Sequence, residues 1–363
     1  MKTSMRLFVR ASAMAMLVSA LALAVAPQVS KAAPAQKTPA KQKAQTQKKP
    51  AAQKPPTVGQ LKREVPLVDV VFSVLNKKDR FVTDLSQKDF EIFDNNLPQQ
   101  IEFFSRQTDL PLRIGILLDT SNSIHSRLKF EKNAAFDFLF RNIRPGKDLA
   151  FVMTFDTHPE MQQGFTDNMN LLRKAIFSQR AGGGTALYDA IYDSCRDYLT
   201  NPPPPATGNN VRRVLVVFSD GNDDLSDLTR SSAIDMAERA GVAVYTISTN
   251  NKWVSPDQEV AQGLPYKMHF SHGDKVLAQF ANDTGGRSFY PYRVTDLAQA
   301  FADIGTELRS QYSIAYTPSN NARDGKFHSI HIEILHENHL KVRARQGYWA
   351  ERAPTSSSSK PGR

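Results

Sequence analysis

Short apolar runs and segments with apolar residues every three to four positions alternate between residues 110 and 317, the pattern of an α/β domain. Residues 112–118 (LRIGILL) hold a strand-length apolar run with no breaker inside it, which predicts a strand buried on both faces. A helix is expected over 126–141, a strand over 148–155, and helices over 168–177 and 186–199. Residues 201–210 contain four prolines and a glycine and read as a surface loop. A core strand follows over 214–218, then a helix over 229–240 that stops at Gly241, and a strand over 242–247. Residues 250–275 look irregular, 276–283 look helical up to Gly285 and Gly286, and a last helix is expected over 297–309. Strands joined by helices in this way form a mostly parallel sheet covered on both faces.

The two flanks carry a different period. Residues 67–75 are β-prone, Phe81 and Val82 begin a second short segment, 90–93 and 101–104 alternate, and Asp94, Asn95 and Asn96 form a turn between them. Four short strands in about forty residues make a poor core alone. Residues 311–316, 327–335 and 340–345 are also β-prone, with Ile330, Ile332 and Ile334 on one face. The simplest arrangement joins both ends of the chain in one antiparallel module beside the central domain. The expected organisation is therefore a β segment over 65–108, the α/β domain over 110–317, and a closing β segment over 318–350.

Charge changes the picture only at the amino terminus. The formal net charge is +10, yet residues 1–56 hold ten Lys or Arg and no Asp or Glu, so the remainder is close to neutral. Nothing in it points to a nucleic-acid face. Residues 1–32 have the plan of an export signal: Lys2, Arg6 and Arg10, an apolar stretch over 11–26, then small residues near Ala32. Retention as a membrane anchor is the second reading. Residues 33–60 are Ala, Pro, Gln and Lys and are expected to be an extended linker, whose positive charge suits a cell-envelope polymer; 351–363 form a loose tail. The expected location is exported: periplasm, cell envelope or secreted. Cys195 is the only cysteine and falls in register with Leu187, Ile191 and Leu199, so it is expected on a buried helix face.

Candidate chemistry gathers at the ends of two apolar runs. The first ends in Asp119, with Ser121 and Ser123 at spacings of two and four. The second, 211–218, ends in Ser219-Asp220-Gly221, and between them lies Gly182-Gly183-Gly184-Thr185. Open α/β sheets place ligand sites at the carboxyl ends of their strands. A hard divalent cation needs several oxygens; two carboxylates supply charge and neutral hydroxyls complete the protein share. Asp119, Ser121, Ser123, Thr185 and Asp220 are the candidate ligands, with water in the remaining positions. Each piece has a second reading, since Asp-x-Ser-x-Ser also suits loops and helix caps, Asp-Gly a turn, and the glycines a linker. Asp220, Asn222 and Asp224 repeat at spacings of two, but Leu225 and Ser231 stand where a calcium loop needs Gly and Glu, so they read as an acidic rim.

Asp119-Thr120-Ser121-Asn122-Ser123, Gly184-Thr185 and Ser219-Asp220-Gly221 together resemble a von Willebrand factor type A domain over about 110–317. The flanks, including Gln311-Tyr312 and the closing 342–348, resemble the exported VWFA-related proteins of bacteria such as the Acidobacteria. The resemblance implies a Rossmann-like fold and a metal-ion-dependent adhesion site built from Asp119, Ser121, Ser123, Thr185 and Asp220. It implies Mg2+, with Mn2+ or Ca2+ as alternatives, and a protein partner whose exposed Asp or Glu completes the shell. His125, Arg127 and His158 are rim candidates, with ordinary solvated surface as the other reading.

Other functional classes have weaker footing. The chain lacks Gly-x-Ser-x-Gly, a phosphate-binding loop, a dinucleotide fingerprint and His-Glu-x-x-His. Metal-assisted hydrolysis at Asp119 and Asp220 would lack an evident general base or nucleophile. A scaffold role in an envelope complex, with the metal stabilising the loops, is the remaining alternative. His328, His331, His336 and His339 gather in the last hairpin and read as surface residues rather than a zinc site.

Overall fold

The computed structural model describes residues 67–350 apart from 79, 108–109, 207–209, 251–269, 292–293, 320–323 and 337–338. The expected export signal, the linker and the tail lie outside the described residues, as does most of the irregular stretch after Asn250. Along the chain, β1 (Val68–Leu75), β2 (Phe90–Asp94), β3 (Leu97–Gln99) and β4 (Phe103–Gln107) precede the central strand β5 (Leu112–Asp119). Then come α1 (Leu128–Asn142), β6 (Leu149–Phe155), β7 (Pro159–Thr166), α2 (Met169–Phe177) and α3 (Leu187–Asp193). β8 (Arg212–Ser219), α4 (Arg230–Arg239), β9 (Val242–Ser248), α5 (His272–Thr284), β10 (Ser288–Phe289) and α6 (Val294–Glu307) complete the α/β part. The chain closes with β11 (Gln311–Tyr316), β12 (Phe327–Ile334), β13 (Lys341–Ala344) and β14 (Gly347–Trp349).

The central sheet has the order β10-β9-β8-β5-β6-β7. Its strands are parallel except β7, which pairs antiparallel with β6 at the edge. Every residue of β5 is buried, as its unbroken apolar run predicts. Because side chains alternate across a strand, Ile114, Ile116 and Leu118 enter one core with Ala135, Phe138 and Phe301 of α1 and α6. Leu117 enters the opposite core with Ile191, Cys195, Ala237 and Phe280. Gly115 makes room on that second face: a Cβ there would stand 2.4 Å from Phe151 Cζ and 2.6 Å from Leu215 Cδ1. The result is a three-layer α/β architecture, as expected.

Three local features depart from the sequence expectations. The edge strand β7 was not anticipated, because PEMQQGFT is polar and mostly half-exposed and carries no apolar period. The helix expected over 186–199 ends as α-helix at Asp193 and continues as a wider π-helical turn through Leu199. Helix α5 begins at His272, four residues before the expected start, on a capping box in which Ser271 Oγ accepts from the Asp274 N–H at 3.0 Å and Asp274 Oδ2 accepts from the Ser271 N–H at 2.7 Å.

The flanking module unites the two chain ends. One sheet has the order β13-β1-β11-β4 and the other β14-β12-β2-β3, so β11 lies between two strands from the start of the described chain. The sheets share one core, where Phe72, Phe90, Phe104 and Tyr312 pack with ring centroids 5.1–5.7 Å apart. Below them sits a buried acceptor. Asp94 is 1% exposed, and its Oδ2 accepts from the hydroxyls of Tyr316 at 3.0 Å and Tyr348 at 2.8 Å. His328 Nδ1 lies 2.9 Å from its Oδ1. His328 is thus a core residue, whereas the sequence placed it with surface histidines; His331 is exposed as expected. The module is tied to the α/β part by Arg343, whose Nη1 meets the buried Glu307 carboxylate at 3.0 Å, and by Arg239 stacked on Trp349.

Asp94 holds three side chains contributed by the last third of the chain. Removing a buried charged acceptor from partners that cannot move to water costs about 3–5 kcal/mol. Asp94→Ala is expected to lower the unfolding free energy in urea by that amount, and Asp94→Asn, which keeps one acceptor, by less.

Candidate metal centre

Asp119 is the last residue of β5 and Ser219 the last of the neighbouring parallel strand β8. Asp119 is fully buried. Its Oδ1 accepts from the Ser121 N–H at 2.9 Å and its Oδ2 from the Ser219 hydroxyl at 2.7 Å. A single 3-10 turn, Asn122–Ile124, carries Ser123 back over the strand ends. Ser121 Oγ and Ser123 Oγ are 3.0 Å apart, and Ser123 Oγ donates to Asp220 Oδ2 at 3.0 Å. Three of the five predicted residues, Ser121, Ser123 and Asp220, therefore form one chain of side-chain oxygens, and Asp119 joins it through the Ser121 N–H.

The glycine-rich turn, which carries Thr185, packs against the first loop. The Gly182 N–H donates to the Thr120 carbonyl at 2.8 Å, and the Asn122 N–H to the Gly183 carbonyl at 3.1 Å, which stitches the turn to the first loop. Gly183 has φ +77°, where L side chains are strained. Thr185 is buried beside this seam, and its N–H donates to Asp224 Oδ1 at 2.6 Å. Asp223 Oδ1 likewise accepts from the Tyr188 N–H at 3.1 Å at the start of α3. These acidic residues, read from sequence as a rim, serve as backbone acceptors that hold the Thr185 turn. The Asp220 loop is clamped from behind: Asn250 Nδ2 donates to the Asp220 carbonyl at 2.6 Å and lies 3.1 Å from Asp274 Oδ1. Gly221 has φ +78°, and a Cβ on it would stand 2.2 Å from the Gly273 carbonyl oxygen.

Of the rim candidates, His125 and His158 are exposed. Arg127 instead turns inward and donates to the Thr249 carbonyl.

Burial leaves the site short of positive charge. It pushes the Asp119 carboxyl up to about 6, with the neighbouring Asp220 adding to the rise and hydrogen bonds from Ser121 and Ser219 opposing it. A third carboxyl stands behind. Glu131 on α1 is completely buried, and among the described residues neither of its oxygens, nor Thr249 Oγ1, has a hydrogen-bond partner. Burial first, and then the Asp119 charge, hold Glu131 well above the ordinary carboxylate range. The sequence signal for it was available: Glu131 interrupts the stripe Leu128, Ala135, Phe138, Leu139 at a core-facing position. Asn250 and Asp274 left no comparable signal, because their role depends on which loops meet. Among the described residues no group of three or more His, Cys, Asp and Glu side chains is placed to hold a metal; the residues expected from the sequence are two carboxylates and three hydroxyls.

The fold and the loop geometry define an α/β domain with an oxygen-lined cluster at the carboxyl end of its central strands. Residues 114–222 match the von Willebrand factor type A domain family. No curated protein matches the sequence. Solved structures with a similar course include an aerotolerance-related membrane protein from Bacteroides fragilis, 18% identical with a TM-score of 0.40 over 54% of this chain and 98% of that one. A von Willebrand factor type A protein from Catenulispora acidiphila is 12% identical, with a TM-score of 0.43 over 74% of each chain. Proximal thread matrix protein 1 from the mussel byssus, in a form with a zinc-occupied MIDAS motif, is 15% identical, with a TM-score of 0.42 over 59% of this chain and 49% of that one.

A buried carboxyl with a raised pKa folds without an ionisation cost while protonated and at growing cost once the unfolded chain ionises. Glu131→Gln keeps the shape without the charge. Its stability in urea is expected to match the wild type below pH 4.5, the ordinary value for this group, and to exceed it increasingly as pH rises toward neutrality.

Proposed function

We propose that Asp119, Ser121, Ser123, Thr185 and Asp220 hold one divalent cation, Mg2+ or in its place Mn2+ or Ca2+, and that the domain uses it to bind a protein partner through an exposed Asp or Glu. The observation that carries this reading is the spacing of the oxygens. Neighbouring ligands in an octahedral shell with bonds of 2.0–2.1 Å stand about 3 Å apart, and Ser121 Oγ, Ser123 Oγ and Asp220 Oδ2 follow one another at 3.0 Å. The donor set is all oxygen, which suits a hard cation. The raised pKa of Asp119 fits the same reading: a buried carboxylate that lacks a cationic neighbour is one that a bound ion would keep ionised. The bound ion would supply a Lewis-acidic position for an incoming carboxylate. The chain's own residues orient the hydroxyls, exclude bulk water from Asp119 and fix the rim that surrounds the partner. One carboxylate bond selects weakly, so partner choice falls to the exposed rim, including His125 and His158.

We read the module as a binding protein rather than an enzyme. The pattern of residues 1–32 supports export, to the periplasm, the envelope or the medium, and the basic segment 33–60 supports association with anionic envelope material. The flanking motifs support a place among exported bacterial proteins of this type, those of Acidobacteria among them.

Calorimetric titration of the purified protein with Mg2+, Mn2+ and Ca2+ is expected to give one saturable site. Asp119→Ala should abolish it while the far-ultraviolet circular dichroism stays unchanged; retained binding in that variant would sink the assignment. Because the ion must displace a proton from Asp119, the apparent affinity should fall about tenfold per pH unit once the pH drops below about 6. A flat profile between pH 4 and 7 would place the ion elsewhere.

A further inference from the structure

At the opposite end of β8 from Asp220 lies a cavity of about 260 Å³ between the α/β part and the flanking module. β8 spans eight residues, so at about 3.3 Å per residue the two sites are about 25 Å apart. Arg212 and Arg213 line the cavity from the start of β8, Arg345 from the flanking module, and Asp69 from β1. Each arginine is anchored by one backbone carbonyl. Arg212 Nη1 donates to Leu308 at 2.6 Å, Arg213 Nη1 to Ala240 at 2.6 Å, and Arg345 Nη2 to Asp69 at 2.8 Å.

Each arginine also keeps one nitrogen buried with no hydrogen-bond partner: Arg212 Nη2, Arg213 Nε and Arg345 Nε. Arg212 is only 6% exposed. Among the described residues none of the three forms an ion pair with a carboxylate, and Asp69 Oδ1 accepts instead from the Ser313 hydroxyl. Three guanidinium groups and one carboxylate line the cavity, with Glu307 acting on Arg212 and Glu238 on Arg345 from outside the lining. Buried charge without a partner is costly, and two chain segments distant in sequence place these charges in one cavity. Planar guanidinium donors match the oxygens of phosphate and sulfate.

We infer that this cavity is a binding site for a phosphate or sulfate group, either as the free anion or as the terminal group of a small organic ligand, and that its occupant joins the flanking module to the α/β domain. The site is independent of the cation reading, since it shares no residue with it.

The test uses the full chain at constant ionic strength, titrated with inorganic phosphate, sodium sulfate and glucose 6-phosphate, with sodium chloride as the control. One saturable site by calorimetry and a raised melting temperature with phosphate or sulfate, absent with chloride, are expected. Arg213→Met and Arg345→Met, at partly buried positions where the aliphatic stem is retained, should each weaken that binding about tenfold, while their melting temperatures without anion stay near the wild type and Mg2+ titration is unaltered. Tighter binding of glucose 6-phosphate than of inorganic phosphate would assign an organic ligand; equal or weaker binding would assign the free anion. Anions that act no differently from chloride, or binding unchanged in both folded variants, would overturn the proposal.

Discussion

The buried carboxylate of Asp119 is the constraint around which the upper surface of the domain is built. A charge at the end of a strand covered on both faces has lost its water, and among the described residues no Lys or Arg forms an ion pair with it. It is kept by small donors alone, the Ser121 N–H and the Ser219 hydroxyl. Those donors come from two parallel strand ends, so their positions are set by the register of β5 against β8. The same register brings Asp220 to Ser123. Shifting it by one residue would turn every side chain of β5 to the other face and scatter the oxygens. Site and core are therefore specified by one pairing.

Rigidity around the oxygens comes from a shell of backbone acceptors and close contacts. Asp224 and Asp223 hold the Thr185 turn, and Asn250 holds the Asp220 carbonyl. Contact of Gly221 with Gly273 brings the loop after β8 against the start of α5. Glu131 stands apart from this pattern: it is completely buried behind the site, and that burial holds its carboxyl well above the ordinary range. The neighbouring Asp119 charge adds to that rise.

The lower end of the domain has the opposite electrostatic character. Carboxylates gather at the carboxyl ends of the strands and arginines at the start of β8, where the flanking module docks. The module itself exists only because β11 follows α6 and returns to lie between β1 and β4. Its buried Asp94, Tyr316, Tyr348 and His328 network joins residues more than two hundred positions apart. Local sequence carries no record of such a pairing.

What the sequence by itself determined was whatever depends on short-range pattern. The apolar run at 112–118, the stop at Gly241 and the buried register of Cys195 follow from side-chain period and backbone preference over a few residues. The five oxygen-bearing residues were legible for the same reason: three lie in one loop, and the others directly follow a recognisable strand or glycine turn. Tertiary structure alone decided the rest. It turned Arg127 inward, made His328 a core residue, gave Asp223 and Asp224 backbone N–H donors to hold, and put Arg212, Arg213 and Arg345 around one cavity. Each of these outcomes depends on the partner a polar group meets once water is excluded, and that partner is chosen by the packing of distant segments.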